Sequence, residues 1–189
     1  MSYTTTVVPS GIRPRELRCV IEHLHRDRAV ADDACIGRFT LAGITCDLGP
    51  EPDWLGADLP EDEEWRIEWT KFYFGLDLAH AYAQTADPRY LESWERLVRS
   101  YLQQVPVGVD SSDVAARRVQ NWVYAWTAFA RADGFTGLRD RLETHLLDRL
   151  GAQARHIRDN LTAERNHRTL ELYALIVVAL ALPQLDPDG

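Results

Sequence analysis

Cysteine and positive charge are both scarce in this sequence, and each shortage excludes a class of protein. Only three cysteines occur, Cys19, Cys35 and Cys46, with neither a CxxC pair nor the Cys/His spacing of a zinc site. A disulfide scaffold and a metal centre are therefore not expected, and no motif calls for a cofactor. Lys and Arg number 21 against 29 Asp and Glu, a net charge of −8. The chain therefore lacks the excess positive charge that nucleic-acid-binding proteins use.

Long apolar runs are also missing from the sequence. The longest one, residues 174–182, is far shorter than the ~20 apolar residues of a membrane-spanning helix. Residues 1–9 lack the basic region and the apolar stretch of a secretory signal. We therefore predict no membrane association and, by default, a location in the cytoplasm.

Apolar residues at spacings of three and four, by contrast, recur through most of the chain and are typical of α-helices. They predict helices over residues 14–29, 62–85, 88–105, 112–131, 138–161 and 166–182. Residues 38–48 instead alternate around a central Ala-Gly, which predicts a short β-hairpin or an extended arm. Residues 49–60 have the Pro, Gly and Asp content of a loop. The sequence thus predicts an all-α fold with a small β element near its N-terminus.

From residue 62 onward, helices that are apolar on most of their circumference alternate with helices that have one apolar stripe. The mostly apolar helices begin near Trp65, Ala115 and His167, about 50 residues apart. This repeat predicts stacked helical hairpins, arranged either as a solenoid or as part of an (α/α) toroid with parallel inner helices. The contrast between the two helix types favours the toroid. We expect an N-terminal helix, arm and loop in residues 1–60 and, in residues 61–189, a toroid arc that belongs to a longer protein.

Parallel inner helices would bring their N-terminal turns to one face of the fold. Helix N-termini carry partial positive charge and free N–H groups, which attract anions, and aromatic rings can stack on sugars. We therefore expect a site for an acidic oligosaccharide. The residues expected to bind it are Trp65, Trp69, Arg117, Arg118 and Arg165. Plainer interpretations stay open, because arginines often form surface ion pairs, tryptophans fill cores and Asn166 has the residue type of a helix N-cap.

Five short motifs lie in order along the helical part of the chain. They are Trp65 with Trp69, LDLAHAY at residues 76–82, TADPRY at 85–90, RVQNW at 118–122 and RNH at 165–167. Together they resemble the N-terminal helical domain of heparinase II/III-like polysaccharide lyases, over about residues 50–189. The resemblance implies an α/α toroid followed, in the full protein, by an antiparallel β-sandwich. It also implies β-elimination of uronate-containing polysaccharides such as heparan sulfate or alginate.

The same resemblance implies a catalytic role for Asn166 and His167, which would neutralise the uronate carboxylate. Hydrogen-bond donors aimed at that carboxylate stabilise the enolate that forms when the C5 proton leaves. The Tyr or His that removes the proton is expected beyond Gly189, so this chain by itself is expected to be inactive. Within its own helix His167 is followed three residues later by Leu170 rather than by an acid.

Two other functions are compatible with the residues. A noncatalytic helical module could bind or scaffold a partner on its concave face. A toroid-type glycoside hydrolase would instead use paired carboxylates, with Glu63, Glu64 or Asp113 as candidates. A toroid arc of buried inner helices without its remaining partners leaves apolar surface exposed, and we expect the chain to self-associate through it.

Overall fold

The fold is all-α with one small β-hairpin, as the sequence predicts. The computed structural model describes residues 13–15, 17, 26–139 and 141–185. Its elements in these ranges are α1 (Arg28–Ile36), β1 (Arg38–Leu41), β2 (Ile44–Asp47), α2 (Glu63–Lys71), α3 (Phe74–Thr85), α4 (Pro88–Gln104), α5 (Ser112–Arg131), α6 (Leu142–Asp159), α7 (Arg165–Ala181) and a 3-10 turn (Pro183–Leu185). No helix in this described part is both long and apolar enough to cross a membrane.

The N-terminal segment holds one helix that the sequence did not predict. The helix expected over residues 14–29 lies mostly outside the described residues, and α1 begins only at Arg28. Its buried residues are two alanines, Ala31 and Ala34, so its apolar periodicity is weak. Gly37 ends it in the left-handed region (φ 81°). A side chain there would overlap the backbone of Gly49, which requires glycine for both reasons.

The predicted hairpin follows immediately and is confirmed. The two strands pair antiparallel, Arg38 opposite Asp47 and Leu41 opposite Ile44. Ala42 and Gly43 form the two-residue turn, with φ values of 48° and 79°. Positive φ at both central positions is what a tight hairpin turn with the strands' right-handed twist requires.

The prediction of a single helix over residues 62–85 is wrong, because the helix is interrupted between α2 and α3. Phe72 sits at the break in the left-handed conformation, φ 66°, which costs a non-glycine residue about 1–2 kcal/mol. Side chains of α5 stabilise the break: Asn121 Nδ2 donates to the carbonyl of Lys71 (2.8 Å) and Arg118 Nη1 to that of Thr70 (3.2 Å). These bonds satisfy carbonyls that the end of α2 leaves without helical partners.

Helices α3 and α5 are inner helices of the fold, and they run in the same direction. Just before α3 begins, the ring of Phe72 lies 5.6 Å from that of Trp122, in the middle of α5. Near their last turns the ring of Tyr82 lies 5.4 Å from that of Phe129. Contacts in the same order along both helices make the pair parallel.

Helix α7 is parallel to α5 by the same test. Close to both N-termini, Ser112 Oγ lies 2.6 Å from Glu171 Oε1. Close to both C-termini, the Arg131 side chain and the Ala181 carbonyl bond to the backbone of residues 17 and 15, respectively. Three inner helices therefore point their N-termini to one end of the fold, as the toroid prediction requires.

Helices α4 and α6 are the outer helices. Asp87 caps α4 and Pro88 opens it, as the Asp-Pro pair predicts. The stripe of α4 packs inward, with the ring of Trp94 5.4 Å from that of Phe129. Arg149 of α6 donates to the carbonyls of Leu102 and Val105 at the end of α4, so each outer helix is fixed to the next.

One face of α7 has no partner among the described residues. Its exposed apolar side chains, here called the α7 stripe, are Leu172, Ile176 and Leu180, 44%, 54% and 56% exposed. The spacing of four residues aligns them along one side of the helix. The expected apolar surface is therefore present, whereas self-association through it stays a prediction.

Candidate functional site

The N-terminal turns of α5 and α7 meet at a pair of ionisable side chains. His167 Nδ1 of α7 lies 2.8 Å from Asp113 Oδ2 of α5. On the other side of the ring, Nε2 lies 3.5 Å from Glu164 Oε2. The three side chains are 46%, 22% and 78% exposed, respectively. A surface histidine thus stands between one partly buried and one exposed carboxylate.

The Asp113 carboxyl is electrostatically suited to hold a histidine. Its partial burial raises the pKa, but hydrogen bonds from Ser111 and His167 and the nearby His167 charge outweigh burial and lower the pKa of Asp113 below its ordinary value. Asp113 therefore carries its negative charge at neutral pH and acts only as an acceptor.

A buried carboxylate beneath the pair fixes the two helices and the loop between α6 and α7. Glu171 is fully buried. Its Oε1 lies 2.6 Å from Ser112 Oγ, and its Oε2 accepts from the Thr162 backbone N–H at 2.9 Å. Ser112 Oγ also lies 2.9 Å from the carbonyl of Asn160. Sequence reasoning missed Glu171, although a lone acid within the apolar part of a helix was a visible signal.

Asn166 and Arg165 lie in the exposed first turn of α7. The N-cap of this helix is Glu164, so the interpretation of Asn166 as an N-cap is wrong. Asn166 directly precedes His167 in the chain, and both residues are exposed. Arg168, one residue further along, donates from Nε to the Thr162 carbonyl at 2.7 Å and closes the turn.

The two arginines of α5 have different surroundings. Arg117 lies one turn after Asp113 on the same side of α5, half-buried, with Nη1 3.5 Å from Gln120 Oε1. It therefore flanks the candidate site and remains a candidate for binding an anion.

Arg118 is interior, and its predicted contact with substrate is wrong. Its side chain is 1% exposed and forms a 2.6 Å ion pair with Asp110. Its guanidinium lies 4.8 Å from the centre of the Tyr101 ring, and Tyr101 donates its own O–H to Asp110 at 3.2 Å. Burial raises the pKa of Tyr101, so this phenol stays neutral. The cluster joins α5 to α4 and α2 and leaves no cationic surface for a ligand.

Trp65 and Trp69 are also core residues, and their predicted contact with sugar is wrong. Neither ring has any exposed surface. Trp54, in the loop before α2, stacks on Trp69 with ring centres 4.1 Å apart, and Trp65 Nε1 donates to the carbonyl of Ile44 in the hairpin. The loop and the hairpin therefore cover the faces that a sugar would need.

A cleft of about 360 Å³ opens beside these covered rings, between α2 and the start of α5. Polar groups on its rim include Glu63, Arg66, Asp110 and Ser111. Arg66 is held in place by donating to the carbonyls of Leu59 and Pro60. Among the described residues, no three His, Cys, Asp or Glu side chains lie close enough together to hold a metal ion.

Comparison with known proteins gives one family and one fold. The sequence matches the model of the heparinase II/III N-terminus over residues 20–187. The structure is similar to heparan sulfate lyase HepC from Pedobacter heparinus, with a TM-score of 0.70 and 20% identity over 86% of this chain and 28% of that one. A heparinase III structure gives a TM-score of 0.68 and 19% identity over 84% of this chain and 29% of that one. None of the curated proteins matches the sequence. The chain thus spans less than a third of the length of either lyase.

Proposed function

Because the chain belongs to the heparinase II/III N-terminus family, we propose that it is the helical part of a polysaccharide lyase that cleaves uronate-containing polysaccharide by β-elimination. The observation that carries the proposal is the exposed Asn166–His167 pair at the end where α5 and α7 meet, with Asp113 bound to the histidine. The name of the similar HepC structure, a heparan sulfate lyase, favours heparan sulfate among the uronate polysaccharides.

The proposed chemistry assigns carboxylate neutralisation to this chain. In β-elimination a base removes the C5 proton of the uronate, a double bond forms between C4 and C5, and the C4–O bond breaks with protonation of the leaving oxygen. The C5 proton is weakly acidic because the neighbouring carboxylate is negative. Donors from the Asn166 amide and the His167 ring would withdraw that charge and stabilise the enolate, an effect worth about 10²–10³-fold per donor in comparable sites.

The remaining parts of the site follow from charge and accessibility. Arg117 and Arg165 flank the pair and would bind further acidic groups of the polymer. Since the chain covers under a third of the similar lyases, the base is proposed to come from outside it. Asp113 is bound to His167 at 2.8 Å, an arrangement that favours a positioned histidine over the two free carboxylates of a glycoside hydrolase.

The test is an assay of the protein expressed from the complete reading frame on heparan sulfate, alginate and a neutral polysaccharide. The unsaturated uronate product absorbs in the ultraviolet, and hydrolysis products do not. We expect ultraviolet-absorbing product only from an acidic polymer, and a loss of about 10²-fold or more in rate for His167→Ala and Asn166→Ala.

His145→Ala is the matched control, because His145 is also an exposed histidine near the start of a helix, α6. Its rate should equal that of the unmodified protein. New reducing ends without ultraviolet absorbance would show hydrolysis and refute elimination. Tight polymer binding without any product would favour the noncatalytic binding module instead.

A further inference from the structure

We infer that Asp113 is a positioning residue that keeps a hydrogen on Nδ1 of His167, so that His167 meets the substrate carboxylate as an imidazolium. This inference deepens the proposed function and rests on it. It assigns a role to a residue on a different helix, 54 positions away from the histidine.

The hydrogen-bond geometry determines which ring nitrogen carries the hydrogen. The Asp113 carboxylate, 2.8 Å from Nδ1, can only accept, so Nδ1 must donate. A neutral ring then has a bare lone pair on Nε2 and cannot donate to a second carboxylate. Only the imidazolium carries hydrogen on both nitrogens and can bridge Asp113 to an anion.

A second carboxylate already occupies the Nε2 side of the ring. Glu164 Oε2 lies 3.5 Å from Nε2, and the Glu164 side chain is 78% exposed, against 22% for Asp113. Two carboxylates therefore stand on opposite sides of one imidazole ring. Because Glu164 is far more exposed, it is the partner that a uronate carboxylate would displace, whereas Asp113 would remain.

The other charges around the ring come from the same two helices. On α5, Arg117 follows Asp113 by one turn; on α7, Arg165 and Arg168 flank His167. The Arg168 guanidinium is directed to the Thr162 carbonyl (2.7 Å). These arginines attract an anionic polymer to the site.

In this role His167 is a donor and not the base that removes the C5 proton. A base needs the lone pair of Nε2, so its activity would fall as the pH drops and the ring is protonated. For a donor imidazolium the pH dependence of activity is the opposite, because activity falls as the pH rises and the ring loses its proton. The pH profile of the lyase therefore separates the two roles.

The direct experiment measures the His167 ring nitrogens by ¹⁵N NMR in the 189-residue chain, across a pH titration, for Asp113→Asn and for Glu164→Gln as its matched control. Each substitution removes one carboxylate from the ring. We expect Nδ1 to keep its hydrogen in the unmodified chain and in Glu164→Gln, and the neutral tautomers to mix in Asp113→Asn. Identical tautomers in all three proteins would overturn the inference.

A second measurement keeps the inference testable if Asp113→Asn does not fold. In the unmodified chain, acidification protonates Asp113 and removes the charge opposite Nδ1. The Nδ1 resonance of His167 should shift as Asp113 titrates. A resonance that is insensitive to Asp113 protonation would overturn the inference without any variant.

A final arm adds an unsulfated glucuronate–glucosamine tetrasaccharide and separates this inference from the proposed function. The expected result is a change at Nε2 alone, with binding about two- to fivefold tighter in Glu164→Gln, the range of an exposed ion pair. If Asp113→Asn alters the tautomer but the tetrasaccharide leaves Nε2 unchanged, Asp113 positions His167 and the carbohydrate function is refuted. A change at Nε2 that is equal in all three proteins refutes the positioning role and supports the carbohydrate function.

Discussion

Replacing Glu171 tests the buried network beneath the candidate site, and the outcome should depend strongly on the replacement. In Glu171→Ala the part-buried Thr162 N–H loses the acceptor that lies 2.9 Å away, and a donor left without its partner costs about 1–3 kcal/mol. Loss of the buried side-chain atoms adds about 1 kcal/mol. We therefore expect the free energy of unfolding to fall by about 2–4 kcal/mol.

Glu171→Gln should be nearly neutral, within about 1 kcal/mol, because the amide can satisfy every partner. Its oxygen would accept from the Thr162 N–H. Its NH₂ would donate to Ser112 Oγ, whose own hydrogen would go to the Asn160 carbonyl, 2.9 Å away. Ser112 is the residue that allows the exchange, since a hydroxyl both donates and accepts.

The assay is urea unfolding followed by tryptophan fluorescence, since none of the six tryptophans is more than 1% exposed and all change environment on unfolding. Glu64→Ala, an exposed acid in the first turn of α2, is the control and should stay within about 0.5 kcal/mol. A Glu171→Gln variant as unstable as Glu171→Ala would refute the reasoning, because it would show that the network requires the charge and not the hydrogen-bond pattern.

Three further predictions concern acid stability, a glycine and the exposed face of α7. The pKa of Asp113 is lower in the folded chain, so its contribution to stability is present above its unfolded pKa of about 3.9 and is lost as the pH falls through the lower folded value. Asp113→Asn should therefore flatten the acid limb of the unfolding free energy, and an unchanged limb would contradict this. Gly37→Ala should destabilise the chain by more than about 2 kcal/mol, as measured by urea unfolding. Gly43→Ala, where a side chain meets nothing within 4 Å, should destabilise it by about 1 kcal/mol. Equal losses would show that a side chain at residue 37 does not overlap the backbone of Gly49. Ile176→Gln should reduce the particle mass measured by light scattering at high concentration, since it interrupts the α7 stripe, and a monomeric unmodified chain would rule out self-association through that stripe.

Elements that are specified locally were predictable from the sequence. Asp87 and Pro88 start α4, and Ala42 and Gly43 turn the hairpin, through interactions within a few residues. The break at Phe72 was not predictable, since neither residue at the break, Phe72 or Tyr73, is a glycine or a proline. Its stabilising bonds come from α5, about 50 positions later.

The candidate site divides in the same way. Asn166 and His167 could be predicted from a short motif. The acidic partner of His167 could not be predicted, because the position three residues later in its own helix is Leu170 and not an acid. Asp113 reaches the ring only through the parallel packing of α5 and α7.

The burial of Trp65 and Trp69 could not be predicted, because it depends on a residue in a predicted loop. Periodicity shows that both share a helix face, but it does not show what covers that face. Trp54 covers it, with its ring parallel to that of Trp69 within 16° and its backbone N–H donating to Gln104. A tryptophan within a Pro- and Asp-rich loop was the available signal that this loop packs inward.

The burial of every tryptophan side chain has a practical consequence for ligand screening. Sugars that dock at the surface of α5 and α7 will touch no indole, so intrinsic emission will stay constant through a successful titration. Quenching by an added saccharide would instead report a loosening of the aromatic interior. Screens for the natural polymer should therefore use calorimetry or nuclear resonance, which detect a ligand without any contribution from tryptophan.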